Sequence, residues 1–394
     1  MRWLSQTFAV ISLGIRTIPQ RWSSSIVGVI GIAGVVVVFV SVLAIGEGFK
    51  SVLVKAGHPA GAIVLRNGSS QEMTSALTGA ETDIIKQAPG LARDGGRARA
   101  AAEMFVIINL PRRGMNSPTN VPVRGIEPDS FKVRDGLVIN QGRMLTFGTN
   151  EAIVGAAATR QFDVDLGRTV KSGQLTLNVV GTFTINGAAA ESEIWCDSHI
   201  LQGVYQRGNT YQTVLARLDS PASFDTFKNW LTSNRQLSVN SKREADYYAS
   251  QTEVMTGLVN GIGYVIATLM AIGAVFGAIL TMYTAVATRT REIATLRALG
   301  FNTASVLTSV LGESLALAGV GGAIGGTLAY LGFNGYETAT MNFQSFSEIA
   351  FAFHVTPALL IQGLIYALVM GLIGGVFPAI RAARLPIATA LREL

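Results

Sequence analysis

The residue types that make and break bonds are thinly spread in this chain. His58, His199 and His354 stand alone, with no second ligand at metal spacing. Cys196 is the single cysteine, which excludes an intrachain disulfide and a cysteine-based zinc site. No Gly-x-x-x-x-Gly-Lys-Ser/Thr loop is present to cradle phosphates, and no Gly-x-Ser-x-Gly elbow to present a nucleophile. The run Gly319–Gly326 imitates a dinucleotide fingerprint but carries Ile324 at the sixth position. It also lies in an apolar stretch, where glycine serves helix packing. No catalytic, metal or cofactor-binding set is expected. The remaining chemistry is ion pairing and docking, concentrated at Arg289, Arg291, Glu292 and Arg297 and at the isolated carboxylate Glu313.

Read as a helix, the segment from Thr288 to Phe301 presents Ile293, Leu296, Leu299 and Gly300 as an apolar ridge flanked by those four charges. Such a short amphipathic helix suits a groove on a soluble partner. A plain charged anchor with an internal ion pair is the competing reading. Glu313 is the one charge well inside an apolar stretch, where a carboxylate is costly and marks either function or a hydrogen bond to a neighbouring helix. With no second charge inside that stretch to act as a relay, the structural role is favoured.

The elements that must carry these residues are membrane helices. Of 394 residues only 14% are charged, where about 25% is usual, and 43 are glycine. Mean hydropathy is +0.39. This composition excludes a cytosolic enzyme, a disordered tail and a collagen-like chain. Four stretches exceed the roughly 20 residues that span a bilayer: about 24–46, 254–288, 305–333 and 357–377. Arg2, Arg16 and Arg21 precede the first; Arg289, Arg291 and Arg297 lie between the second and third; Arg381, Arg384 and Arg392 follow the fourth. The positive-inside rule then places both termini and the 289–304 segment in the cytoplasm, and residues 47–253 and the 334–356 loop outside. The net charge of +6 thus reports topology and predicts no nucleic-acid partner. Leu4, Phe8, Ile11, Ile15 and Ile18 form a stripe that predicts an amphipathic helix over 1–23 on the cytoplasmic lipid surface. The second stretch, uncharged from Val254 to Thr288, would measure roughly 52 Å as one helix, so it must tilt or continue as a stalk.

Outside, Ala62–Arg66, Ala100–Asn109, Tyr211–Leu218 and Leu237–Asn240 read as strands, with helical patterns at Glu81–Gln87 and from Ser220 to Trp230. They predict an α/β part over about 47–109 and 206–253. Val121–Ile126, Ala152–Val154, Thr169–Val170 and Leu175–Phe183 predict an inserted β-rich part over about 110–205. The fold class is therefore α-helical membrane, one plus three spans, with a large extracytoplasmic α/β domain. Glycine pairs at four-residue spacing (257/261, 273/277, 321/325, 322/326 and 371/375) are candidate helix seams.

The order of residues in Arg289-Thr-Arg-Glu-Ile-Ala-Thr-Leu-Arg-Ala-Leu-Gly300 resembles the coupling segment of the MacB/FtsX superfamily of ABC permeases, the type VII class. The ending Gly374-Gly-Val-Phe-Pro-Ala-Ile-Arg-Ala-Ala-Arg-Leu-Pro-Ile-Ala-Thr-Ala-Leu-Arg392 is similar to that superfamily's C-terminal motif, matched here by Pro378, Arg381, Arg384, Pro386, Leu391 and Arg392. The resemblance implies a homodimeric, non-catalytic permease of the bacterial inner membrane, without a fused ATPase in this chain. It implies a separate ABC ATPase that binds ATP and Mg and docks at Arg289, Arg291, Glu292, Ile293, Leu296, Arg297, Leu299 and Gly300. Function would be mechanotransmission, exporting or extracting a substrate from the periplasm or outer leaflet, with membrane lipid, a periplasmic adaptor and an outer-membrane channel as further partners. The alternative is an FtsX-like regulator that activates a cell-wall hydrolase outside without transport.

Overall fold

The computed structural model describes residues 22–114, 118–342, 345–384 and 386. The stripe from Leu4 to Ile18, the preceding arginines, and Leu391 and Arg392 lie outside the described residues. The chain divides into two compact units. One is helical and takes the described residues up to Glu47, Leu258–Tyr336 and those from Phe353 onward; the other is α/β and takes Gly48–Gly257 with Glu337–Ala352.

Among the described residues, four helices are long and apolar enough to cross a membrane: α1 (Trp22–Val54), α2 (Glu244–Thr288), α4 (Thr303–Phe333) and α5 (Pro357–Ala383), with the short α3 (Thr290–Ala298) between α2 and α4. The second apolar stretch is the C-terminal part of one unbroken helix of 45 residues. Helix α1 also runs past the expected end near residue 46, because nothing between Glu47 and Val54 breaks a helix. Within the helical unit, Val36, Val40, Ala318, Ala329 and Ala367 form the core.

Small residues let these backbones approach. A Cβ at Gly371 would lie 2.4 Å from the Ala318 Cβ, and one at Gly325 would lie 2.6 Å from the Ala33 carbonyl oxygen. Ser314 Oγ donates to the Gly371 carbonyl at 2.6 Å, fastening α4 to α5. Gly257, Gly261, Gly273 and Gly277 have open space around them, so the α2 pairs make no seam within the chain.

The α/β unit is organised on a ten-stranded sheet: β1 (Gly61–Arg66), β2 (Ala100–Pro111), β3 (Pro118–Ile126), β4 (Leu137–Gly142), β5 (Glu151–Gly155), β6 (Thr169–Ser172), β7 (Leu175–Ile185), β8 (Ile194–Asp197), β9 (Thr213–Arg217) and β10 (Val239–Arg243). The order is β10-β1-β9-β2-β3-β8-β5-β7-β4, with β6 on β7. Strand β1 is apolar throughout because both its faces are covered. Ala62 and Val64 pack with Phe227 and Leu231, whereas Ile63 and Leu65 pack with Tyr247. The twelve-residue β2 pairs through Ala100–Glu103 with β9 and through Met104–Pro111 with β3, so early, middle and late sequence share one sheet.

The segment between α4 and α5, expected to be a loop, is an antiparallel hairpin, β11 (Glu337–Asn342) and β12 (Ser347–Ala352). It belongs to the α/β unit: Ala350 N–H donates to Ser192 Oγ at 3.0 Å, and Asn342 Nδ2 donates to Gln251 Oε1 at 3.1 Å. Gly48 is glycine for a local reason, since a Cβ there would sit 2.2 Å from the Ala352 carbonyl oxygen.

Candidate coupling site

Helix α3 is cut out of the chain by two local signals. At its start Arg289 leaves helical geometry (φ −109°, ψ 9°). At its end Gly300 takes φ +93°, the left-handed region that favours glycine. Gly300 N–H donates to the Arg297 carbonyl at 3.1 Å and Phe301 N–H to the Leu296 carbonyl at 3.2 Å. That pair of bonds is the Schellman closure, which satisfies carbonyls a helix end would leave orphaned. The glycine in the Leu-Gly-Phe run is therefore a stop signal, and Asn302 follows immediately before α4.

The expected apolar ridge is split by the fold. Ile293 is 7% exposed and packs with Met282 and Val286 of α2 and Val306 and Val310 of α4. Leu299 is 73% exposed. Arg291, Glu292 and Gly300 are exposed, while Leu296 and Arg297 are half-buried. Thus Ile293 is an internal anchor, and the solvent-facing set is Arg291, Glu292 and Leu299, edged by Leu296 and Arg297.

Arg289 also turns inward. Its side chain is 12% exposed, and Nη1 donates to Glu313 Oε2 at 3.1 Å; Nε lies 3.2 Å from Glu292 Oε2. The Glu313 side chain is 6% exposed and that of Glu292 is 64% exposed. No second charge inside the apolar stretch was expected to partner Glu313; the charge that meets it comes from outside that stretch. The residue that meets it lies 24 positions earlier, beyond the end of α2. No local pattern signals this contact, because it joins the start of α3 to the interior of α4 across the intervening helix.

In the C-terminal motif, Pro378 is buried inside α5, and the Arg381 guanidinium lies over the Tyr283 ring at 5.3 Å from its centre. Arg384 caps α5, and Pro386 is exposed. The structure thus brings Arg289, Glu292 and Glu313 together.

Residues 25–234 match the MacB-like periplasmic core domain family, and residues 264–387 match the FtsX-like permease C-terminal family. The macrolide export ATP-binding/permease protein MacB of Shewanella oneidensis is 23% identical over 84% of this chain and 55% of its own length. Its counterpart in Shewanella sp. strain ANA-3 is 24% identical over 93% of this chain and 57% of its own. The chain therefore spans about half the length of the curated relatives it matches. The periplasmic region of MacB from Actinobacillus actinomycetemcomitans is 12% identical, covering 50% of this chain and 94% of its own, with a TM-score of 0.38. With one domain family matched over more than half the chain and its companion over most of the remainder, this membrane protein belongs to the MacB/FtsX superfamily of ABC transporter permeases.

Proposed function

We propose that this chain is the permease of an ATP-driven transporter that works by mechanotransmission. An ABC ATPase docks on the exposed side of α3, and its opening and closing is carried along α2 to the α/β unit. There a substrate is moved from the periplasm or the outer leaflet of a bacterial inner membrane. The observation that carries this reading is α3 itself: a charged nine-residue helix set between two long apolar ones, with Arg291, Glu292 and Leu299 turned to solvent. The unbroken 45-residue helix α2 supports the transmission step. Its outward apolar side chains, among them Leu269 and Phe276, suit contact with lipid or with a second copy in a homodimer.

In this reading the domain limits are those of the sequence pattern, with an inserted β-rich part over about 110–205 and one span before the outer domain and three after. Both termini and α3 face the cytoplasm, as the arginines flanking the apolar stretches favour. The ATPase supplies ATP and Mg binding. The curated relatives are named for macrolide export, which makes a macrolide the first cargo to test.

The test is co-purification of an ABC ATPase with Leu296→Ala plus Arg297→Glu, alongside ATP hydrolysis by the assembled complex and its stimulation by a macrolide. Truncating an apolar interface anchor costs on the order of 2 kcal/mol. Capture should fall at least tenfold, while membrane insertion is retained. Wild-type capture by the double variant would make α3 a topological anchor only. Labelling of a cysteine at Ser70 from the cytoplasmic side alone would reverse the orientation.

A further inference from the structure

We infer that Arg289 is a positioning residue that relays occupancy of α3 to α4, by dividing its guanidinium between Glu292 and Glu313. The inference rests on α3 being the docking helix. Its own grounds are geometric. Arg289 sits at the break between α2 and α3, so the point where these helices can change angle is also the point tied to a third helix. Among the described residues it meets one carboxylate buried in α4, Glu313, and one in solvent at 3.2 Å on α3, Glu292.

The two carboxylates are not equivalent. Glu292 can exchange Arg289 for water or for a partner's cation at little cost. Glu313 cannot, because a buried carboxylate without its cation is strongly penalised. A basic group of the ATPase that engages Glu292 therefore frees Arg289 toward Glu313 and draws the α2–α3 joint onto α4. A cavity of about 40 Å³, lined by Met282, Arg289, Glu292, Leu296 and Glu313, lies beside the pair. One water needs about 10–15 Å³, so this side of the guanidinium is open to a few waters rather than sealed by packing. Linkage is reciprocal: if docking at Glu292 tightens the Arg289–Glu313 contact, weakening that contact must weaken docking by the same factor.

The experiment is a double-mutant cycle on the complex of the full chain with its ABC ATPase in lipid nanodiscs. ATPase affinity is measured for wild type, Glu292→Gln, Glu313→Gln and the double variant. Glu313→Gln should weaken capture about fivefold or more when Glu292 is present, the lower end of measured site-to-site couplings, and should have little effect in the Glu292→Gln background. Equal losses in both backgrounds would overturn the relay and leave Glu313 a purely structural partner. Should Glu313→Gln not fold, Arg289→Lys replaces it in the cycle, since an ammonium keeps the charge but loses the planar fork. The inverted pair Arg289→Glu with Glu313→Arg should recover folding without recovering the coupling, because Glu292 then faces a like charge. Absence of capture by the wild-type chain would remove the docking reading and this inference together; additive losses with capture intact remove only the relay.

Discussion

Buried arginines meet carboxylates in both units, and two of them, Arg124 in the α/β unit and Arg289 in the helical unit, are built for opposite purposes. In the α/β unit, Arg124 of β3 is enclosed by three acids. Nε and Nη2 donate to Glu193 at 2.7 and 2.8 Å, Nη1 donates to Glu72 at 2.8 Å, and Nη1 also reaches Glu103 at 3.1 Å. Arg134 closes the set by a fork on Glu103, and Trp195 Nε1 donates to Glu193 at 2.7 Å. Every one of these side chains is nearly or wholly buried, so no member can change partner without stranding another. Arg289 in the helical unit divides its contacts between a buried carboxylate, Glu313, and one in solvent, Glu292. Burial on every side makes the first site rigid; solvent access at Glu292 makes the second one movable.

The largest effect should come from breaking the enclosed site. Arg124→Met leaves Glu72 and Glu193 without their cation, and removing one partner of a buried ionic group costs about 3–5 kcal/mol. Loss of the cooperative unfolding transition of the α/β unit, or a fall in its midpoint by many degrees, is expected; a near-wild-type midpoint would mean that water reaches these carboxylates. Acid probes the same network. Burial pushes the Glu103 carboxyl up, but the charge and hydrogen bonds of Arg134, with the charge of Arg124, outweigh it and hold the group below the usual carboxylate range. A depressed folded-state value means that the stabilisation is present above the unfolded carboxylate range, near pH 4.5, and is lost as pH falls through the folded value. Through Glu103 the unfolding midpoint should therefore not vary with pH near neutrality, where its stabilisation is fully present, and should drop below pH 4.5, more steeply than in Glu103→Gln.

A smaller effect is expected at the solvent-accessible site. Glu313→Gln keeps an acceptor for Arg289, and Glu292 still neutralises the cation, so the loss is about 1–3 kcal/mol, that of one charged hydrogen bond. Thermal unfolding of the helical unit in detergent measures it. A loss as large as that of Arg124→Met would show that Glu292 contributes nothing and erase the distinction between the sites.

What was legible in the sequence follows the range of the interaction. The apolar stretches and the Arg-x-x-Glu-Ile pattern of α3 depend on neighbours within one or two turns, and residue type alone signals them; Gly300, read as part of the ridge, is instead the stop of α3. Ile293 and Leu299 were legible as apolar but not as inward and outward, because α2 and α4 decide which side of α3 is covered. The Arg289–Glu313 contact, the Arg124 network and the docking of β11–β12 join residues tens to hundreds of positions apart. Periodicity carries no information about those. Strand β2 shows the same limit within one element: its apolar run predicts a strand, but its pairing with both β9 and β3 is set by what folds beside each half.

The smallest effect on stability, and the sharpest test of the comparison, is Glu292→Gln. The exposed carboxylate makes an i, i+3 contact with Arg289, and exposed pairs of this kind are worth about 0–1 kcal/mol. Unfolding of the helical unit should shift by no more than a degree or two, because Glu313 still holds the guanidinium. Interhelical distances between spin labels at Leu299 and Leu331 should nevertheless narrow in distribution. With Glu292 neutral, the exposed carboxylate no longer competes with Glu313 for the guanidinium, and the joint loses the setting that Glu292 holds. The enclosed site has no such second setting, so the equivalent change there can only cost stability. A distribution identical in width to wild type, at unchanged stability, would show that Arg289 is committed to Glu313 throughout and that the two buried arginines differ in degree of exposure alone.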